Sequence, residues 1–154
     1  MPTELISLSD TTRQYVELCY NLHAMPEKLP ISEIVKKYRS EYCCLRPINS
    51  KAIDDKVYFN MYGFKHLIFK GHHRRENKAI LNRLILIPLI IPVIKNCERE
   101  VEIRQRYETI DGKEIRVTYY ALEAKVGKDA ARVRVVTRKI GNKGHHYFQS
   151  IMKY

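Results

Sequence analysis

The sequence predicts an α+β fold in which N-terminal helices pack against a four-stranded antiparallel β-sheet meander, with an extra β-hairpin. Three observations support this fold class. Apolar residues recur at helical spacing in residues 1–50, apolar and polar residues alternate in residues 99–152, and the turns within that second region are short. Short connections join neighbouring antiparallel strands, so the four strands are expected to pair in chain order. Apolar residues form 45% of the chain, which is enough for a packed core.

Two helices are predicted within residues 1–50, which we interpret as a helical N-terminal extension of the domain that follows. The first covers residues 9–23. The second covers residues 31–42, where the apolar positions of ISEIVKKYRSEY share one face. The pattern then changes from helical to mixed, and we place the main domain at residues 51–154.

The main domain is predicted to open with the extra hairpin and a helix. KVYFN (56–60) and FKHLIFK (64–70) flank a turn, and a helix over residues 74–87 follows. The apolar run LILIPLIIPVI (84–94) is too short to span a bilayer and contains two prolines, so we expect no membrane insertion. The meander strands are predicted at residues 99–107, 113–124, 130–140 and 146–152.

The charge balance favours an anionic partner. The 28 Lys and Arg residues exceed the 17 Asp and Glu residues, and the formal net charge is +11. Nucleic acid is the first expectation for such a basic domain. The four cysteines have no paired zinc-ligand spacing, and no cofactor or metal is expected. Reduced thiols and the lack of an evident signal peptide favour a cytoplasmic location.

Arginines concentrate on one face of the predicted strand over residues 130–140. Arg132, Arg134 and Arg138 alternate with valines and a threonine, so all three side chains project from the same side of the strand. Like charges at this spacing repel each other. The repulsion is relieved either by bound phosphates or by acidic residues on neighbouring strands, for which the sequence offers Glu100, Glu102 and Glu123.

Histidines accompany these arginines at two places in the sequence. HLIFKGHHRR carries His66 together with Lys70, Arg74 and Arg75. GNKGHHYFQS follows the arginine-bearing strand, and alternation puts His146, Phe148 and Ser150 on one face and His145, Tyr147 and Gln149 on the other. A bulge in the turn would decide which set lies beside the arginines.

Two segments together resemble a nuclease superfamily. KVYFNMYGFKHLIFKG and RVRVVTRKIGNKGHHYFQSIM are similar to the phage-associated nuclease domains of the barnase–EndoU–colicin–RelE-like superfamily, across residues 55–153. The resemblance implies a barnase/RelE-like nuclease domain and metal-independent RNA cleavage, often by toxins or mobile-element proteins. It carries over His66, Arg138 and Ser150 as site residues. In a strict alignment Tyr147 stands where the family has a histidine.

The sequence therefore predicts a metal-independent endoribonuclease in which the 2′-hydroxyl attacks phosphorus to give a 2′,3′-cyclic phosphate. His66 is one acid/base group and His146 or Tyr147 the other, because imidazole titrates near neutrality. Arg134 and Arg138 clamp the phosphate, with Lys70 or Lys143 in support, and Ser150 donates a hydrogen bond. The predicted RNA-binding residues are Lys70, Arg74, Arg75, Arg132, Arg134, Lys143 and His145.

Two further expectations concern partners and alternatives. A basic nuclease would harm its host, so an acidic antitoxin or immunity protein is expected alongside RNA as a partner. The alternative function is a non-catalytic RNA- or DNA-binding module, in which the basic sheet grips the backbone and Tyr119, Tyr147 and Phe148 stack bases.

Overall fold

A computed structural model describes residues 5–6, 29–100, 102–127 and 131–153. The predicted helix over residues 9–23 lies outside the described residues. The elements, in chain order, are β1 (Leu5–Ile6), α1 (Ile31–Cys43), β2 (Ile48–Ser50), β3 (Asp55–Tyr58), α2 (Met61–Ile68), β4 (Phe69–Lys70), β5 (His73–Arg74), α3 (Asn77–Leu84), α4 (Ile90–Asn96), β6 (Glu102–Ile110), β7 (Lys113–Val126), β8 (Ala131–Ile140) and β9 (His146–Lys153).

The main sheet is larger than predicted and mixed in direction. Its strands run in the order β1-β7-β8-β9-β3-β2, and β6 also pairs with β7 to make a seven-stranded sheet among the described residues. β6 to β9 pair consecutively and antiparallel, but β1 lies parallel to β7 and β3 lies parallel to β9. The prediction of a four-stranded antiparallel meander is therefore wrong. Three strands of only two to four residues extend the sheet, and strands so short carry no readable alternation.

The predicted extra hairpin over residues 56–70 is also wrong, because its second half is helix α2. The side chain of Asn60 accepts a hydrogen bond from the backbone N–H of Gly63 at 3.3 Å and caps the helix. Phe64, Leu67 and Ile68 are buried at helical spacing, and this burial stabilises the helical alternative. A short ribbon of β4 and β5 follows, separate from the main sheet.

The predicted helix over residues 74–87 ends early, and the apolar run beyond it forms a bent helical segment. α3 ends at Leu84, a 3₁₀ turn spans Ile87–Leu89, and α4 begins at Ile90. Asn77–Asn96 is the one stretch of the described chain long and apolar enough to cross a membrane, with a mean hydropathy of 1.6. Length and composition alone are weak grounds for a membrane span. Many of its apolar side chains, including Leu84, Ile87 and Ile90, lie in the protein core.

The core lies between the helices and one face of the sheet. The sheet contributes inward side chains such as Leu122, Val133, Val135 and Ile151. From the N-terminal side, α1 contributes fully buried side chains to the same core, and β2 pairs with β3 across the predicted boundary at residue 50. Residues 31–50 therefore share one core with the sheet.

A bulge in β9 decides which side chains reach each face of the sheet. The register between β8 and β9 shifts between Val136 and Thr137, because Phe148 pairs with Thr137 while Ser150 pairs with Val136. Gln149 is the extra residue. The sequence alternation that places Phe148 and Ser150 on one face is consequently wrong, since Phe148 is buried in the core and Ser150 turns to the opposite side.

Helix α2 approaches β9 so closely that only glycine fits at residue 63. A β-carbon on Gly63 would overlap the Phe148 carbonyl oxygen and would lie 2.7 Å from the Tyr42 hydroxyl. That hydroxyl is fixed, because it donates a 2.7 Å hydrogen bond to the Asn60 carbonyl. The obstacles are backbone and buried side chain, which cannot move away cheaply.

Gly63→Ala is therefore expected to destabilise the protein. In an exposed helix the same change stabilises by about 0.5–1 kcal/mol, but here overpacking is expected to cost about 1–3 kcal/mol. Urea unfolding followed by circular dichroism measures the difference. Lys65→Ala, at an exposed position of the same helix, is the control and should change little. A Gly63→Ala protein as stable as the wild type would contradict the close packing.

Candidate functional site

The face of the sheet opposite the helices, here called the outer face, is rich in charged side chains. It is formed by alternate residues of four strands, and a cleft of about 310 Å³ opens on it. Its members are Glu102, Arg104, Arg106 and Glu108 of β6, Tyr119, Ala121 and Glu123 of β7, Arg132, Arg134, Val136 and Arg138 of β8, and Tyr147, Ser150 and Met152 of β9.

Carboxylates on neighbouring strands compensate the outer-face arginines Arg132 and Arg134. Arg134 lies 2.5 Å from the buried carboxylate of Glu123 and 3.2 Å from that of Glu102. Arg132 is more exposed and lies 3.9 Å from Glu123. Of the two ways to relieve the repulsion between arginines, the structure shows interleaved acids at these two positions. Arg132 and Arg134 are thus poorer candidates for binding phosphate than the sequence suggests.

Arg138 belongs to a denser network around Glu108. Arg138 Nη2 lies 2.6 Å from Glu108 Oε2, Arg106 Nε donates to Oε1 at 2.8 Å, and the Tyr119 hydroxyl donates to the same carboxylate. Desolvation acts to raise the pKa of Glu108, but the hydrogen bonds from Tyr119, Arg138 and Arg106 outweigh it and lower the pKa to about 2. Glu108 is ionised at neutral pH and holds Arg138 in place.

His66 lies on α2 among three guanidinium groups. Burial lowers the pKa of His66, and the positive charges of Arg75, Arg83 and Arg138 lower it further. Its carbonyl oxygen accepts a 3.3 Å hydrogen bond from Arg75 Nε. His66 Nδ1 is buried without a hydrogen-bond partner among the described residues. The imidazole is therefore neutral at pH 7 and able to accept a proton.

Arg75 and Arg83 differ from Arg138 and the other outer-face arginines because no carboxylate of the described residues lies within 4.0 Å of them. Arg83 donates a hydrogen bond to the Ile151 carbonyl oxygen at 3.4 Å. Burial lowers the pKa of Arg83, and the charge of Arg75 lowers it further. We refer to His66, Arg75, Arg83 and Arg138 as the arginine–histidine cluster.

An aromatic patch borders the cluster on the outer face. The Arg138 guanidinium lies 4.9 Å from the ring centre of Tyr62, which is 50% exposed. Tyr147 lies directly across from Arg138 on β9, and its ring contacts Tyr58 at 6.0 Å between centroids. His145 packs on the same Tyr58 ring at 4.6 Å. Rings beside a guanidinium group are suited to stacking on nucleic-acid bases.

The structure separates the predicted acid/base candidates. Tyr147 is on the outer face, whereas His146 is buried on the opposite face, with its ring 5.0 Å from Tyr120 and Nε2 at 3.7 Å from Asp55. Burial lowers the pKa of His146, the charge of Lys139 adds to the effect, and Asp55 opposes it. Ser150 points to the outer face but is only 4% exposed.

The remaining predicted RNA-binding residues are exposed and lie outside the cluster. Lys70 and Arg74 are on the β4–β5 ribbon, where Arg74 donates to Asn77 at 2.9 Å. Lys143 is in the exposed turn after β8. Of the predicted set, His66, Arg75 and Arg138 come together in the cluster. No group of metal-ligating side chains large enough to hold an ion is found in the described part of the chain.

Sequence reasoning missed Arg83 and Glu108. A signal for Arg83 exists, because it is an arginine in an apolar helix with no acidic residue within four positions on either side. A signal for Glu108 also exists, since Glu102, Arg104, Arg106 and Glu108 recur at every second residue and must share one face.

Comparison with protein-family models gave no match, and searches of curated proteins and of solved structures gave none either. The resemblance to the barnase–EndoU–colicin–RelE-like superfamily therefore stays a prediction.

The pKa of His66 offers a direct check of the cluster. We expect His66 to titrate below its ordinary value of 6.5, and we expect Arg83→Gln to raise the pKa because one of the opposing positive charges is removed. Histidine ring NMR shifts recorded against pH measure both. Arg104→Gln is the matched control, since Arg104 pairs with Glu102, and it should leave His66 unchanged. Titration of His66 at its ordinary value in all three proteins would show that the cluster does not form.

Proposed function

We propose that the protein is a metal-independent endoribonuclease whose centre is the arginine–histidine cluster. One observation carries the proposal: the positive charges of three guanidinium groups act on the partly buried His66, and two of these groups have no carboxylate partner among the described residues. Such a cluster is electrostatically unfavourable unless an anion binds, and arginine pairs with phosphate oxygens in bidentate fashion. The net charge of +11 favours a polyanionic substrate.

The proposed reaction needs no redox or metal step. His66 accepts the proton of a ribose 2′-hydroxyl, whose oxygen attacks the adjacent phosphorus. The bond from phosphorus to the 5′-oxygen breaks, which leaves a 2′,3′-cyclic phosphate and a 5′-hydroxyl. Arg75, Arg83 and Arg138 bind the non-bridging oxygens, where negative charge grows in the transition state.

The same charges that keep His66 neutral at rest support its role during the reaction. In the free protein the guanidinium groups oppose protonation of His66. When phosphate charge develops between them, it offsets this repulsion, so proton uptake by His66 becomes favourable as the transition state forms. Proton transfer and charge development therefore assist each other.

Tyr147 is the proposed proton donor to the leaving 5′-oxygen. It lies across from Arg138 on the outer face, whereas His146 faces Asp55 and Tyr120 on the other side of the sheet. Glu108 acts as a positioning residue, because its two oxygens hold Arg138 and Arg106. Ser150, which pairs with Val136 beside the cleft, keeps its proposed role as a hydrogen-bond donor.

Cleavage of a mixed-sequence RNA by purified protein in EDTA tests the function. We expect 2′,3′-cyclic phosphate ends, and we expect His66→Ala and Arg83→Ala each to reduce the rate on the order of a hundredfold or more. Arg132→Ala is the control, because Arg132 is already paired with Glu123 and lies outside the cluster. Variants that all cleave within a few-fold of the wild type would rule out this centre.

A non-catalytic RNA- or DNA-binding module is the second candidate, and the aromatic patch of Tyr58, Tyr62 and Tyr147 favours it. Phe148, once expected to stack on bases, is buried and cannot do so. RNA that is bound but uncut, with binding insensitive to His66→Ala, would support the module.

The expected partners and location follow from the proposed activity. An acidic antitoxin or immunity protein would neutralise an RNA-cleaving protein by covering the outer face, and both proteins would act in the cytoplasm. If expression of the intact protein alone leaves cell growth unaffected, a toxin role is contradicted.

A further inference from the structure

A second groove of about 520 Å³ adjoins the arginine–histidine cluster. It lies between α3, the residues that follow α3, and the end of β9. Arg75 and Arg83 belong to both the groove and the cluster. Met152 lines this groove and also the cleft on the outer face, so the two depressions are neighbours on the surface.

The groove combines an apolar floor with a basic rim. Ala79, Ile85, Leu86 and Met152 supply aliphatic and thioether surface. Arg75, Arg83 and Lys153 supply the basic part of the rim. Asn82, at an exposed position on α3, adds an amide that offers both a donor and an acceptor.

This combination fits a nucleoside monophosphate. Its volume lies within the range of about 300–1,000 Å³ typical of small-molecule sites, which are mostly apolar with a few polar groups. A planar base has an apolar face for the floor and polar edges for the Asn82 amide. The phosphate would meet Arg75 and Arg83, neither of which has a carboxylate within 4.0 Å among the described residues.

We propose that the groove is a nucleoside subsite, which binds the base and ribose of the nucleotide whose phosphate lies in the arginine–histidine cluster. The inference rests on the proposed function, because it assigns that nucleotide to an RNA strand. It adds that the protein discriminates among bases, with the groove as the site of discrimination.

Binding of nucleoside monophosphates, compared with binding of ribose 5-phosphate, tests the subsite without catalysis. The comparator has a sugar and a phosphate but no base. Isothermal titration with the wild type should show at least one nucleotide binding about tenfold tighter than ribose 5-phosphate, which is the effect expected of one base contact. Equal affinities for all the ligands would overturn the proposal.

Variants on α3 locate the binding. Ala79→Trp fills the groove and should bring the affinity for the nucleotide down to the affinity that the same variant has for ribose 5-phosphate. Lys78→Trp adds the same bulk at a neighbouring exposed position that does not line the groove, and should keep the preference. Asn82→Ala is a milder change that should also reduce the preference for the nucleotide over ribose 5-phosphate. It replaces Ala79→Trp in the test if that variant does not fold. A preference retained in folded Ala79→Trp or in Asn82→Ala would contradict the assignment.

Failure of the subsite and failure of the nuclease give different results. If RNA is cleaved but all nucleotides bind no better than ribose 5-phosphate, the subsite is wrong and the nuclease stands. If nucleotides bind with the expected preference but RNA is not cleaved, the nuclease is wrong and the groove is a nucleotide-binding site. Cleavage products of the wild type should show a bias in the base next to the cut, and Ala79→Trp should remove that bias.

Discussion

The close approach of α2 to β9 at Gly63 is the constraint on which the site depends. Because residue 63 has no side chain, the helix backbone can pack against the Phe148 carbonyl and the Tyr42 hydroxyl. This contact holds α2 beside β9, just beyond the end of β3. One side of the helix then supplies Phe64 and Leu67 to the core. Its other side brings the Tyr62 ring to within 4.9 Å of the Arg138 guanidinium, and the charge of Arg138 also acts on His66.

Charge compensation distinguishes the arginines of the outer face from the two arginines that the helical side contributes to the cluster. Arg104, Arg106, Arg132, Arg134 and Arg138 each lie within ion-pair distance of a glutamate on the sheet. Pairs between exposed groups contribute only about 0–1 kcal/mol each, so their main consequence here is to fix side-chain positions and to lower the positive potential of the sheet.

The uncompensated arginines have the opposite character. Arg75 and Arg83 come from the ribbon–α3 region, where burial lowers the pKa of both and the charge of Arg75 lowers the pKa of Arg83 further. The proposed anion site therefore lies where the helices meet the edge of the sheet. β8 has more arginines than any other described strand, yet each of its three arginines lies within ion-pair distance of a glutamate.

The longer elements of this arrangement could be predicted from the sequence, whereas the site geometry could not. β7, β8 and β9 are long enough for alternation to predict them, and α1 has a continuous apolar stripe. FKHLIF was misassigned to a strand because its aromatic and branched residues favour strands, while its helical state depends on the Asn60 cap and on burial against β9. The faces of His146 and Ser150 depend on a bulge at Gln149, which local patterning does not specify. Arg83 could not be joined to His66 without the fold, because seventeen positions and the two strands β4 and β5 separate them.

A crystal structure with a short RNA bearing 2′-O-methyl groups, which cannot be cleaved, would test the central claim most directly. The expected result is a backbone phosphate bound by the guanidinium groups of Arg75, Arg83 and Arg138, with the His66 imidazole within hydrogen-bond distance of the adjacent 2′-oxygen. An RNA lying on the β4–β5 ribbon or over the ion-paired arginines Arg132 and Arg134, with no phosphate in the cluster, would contradict it.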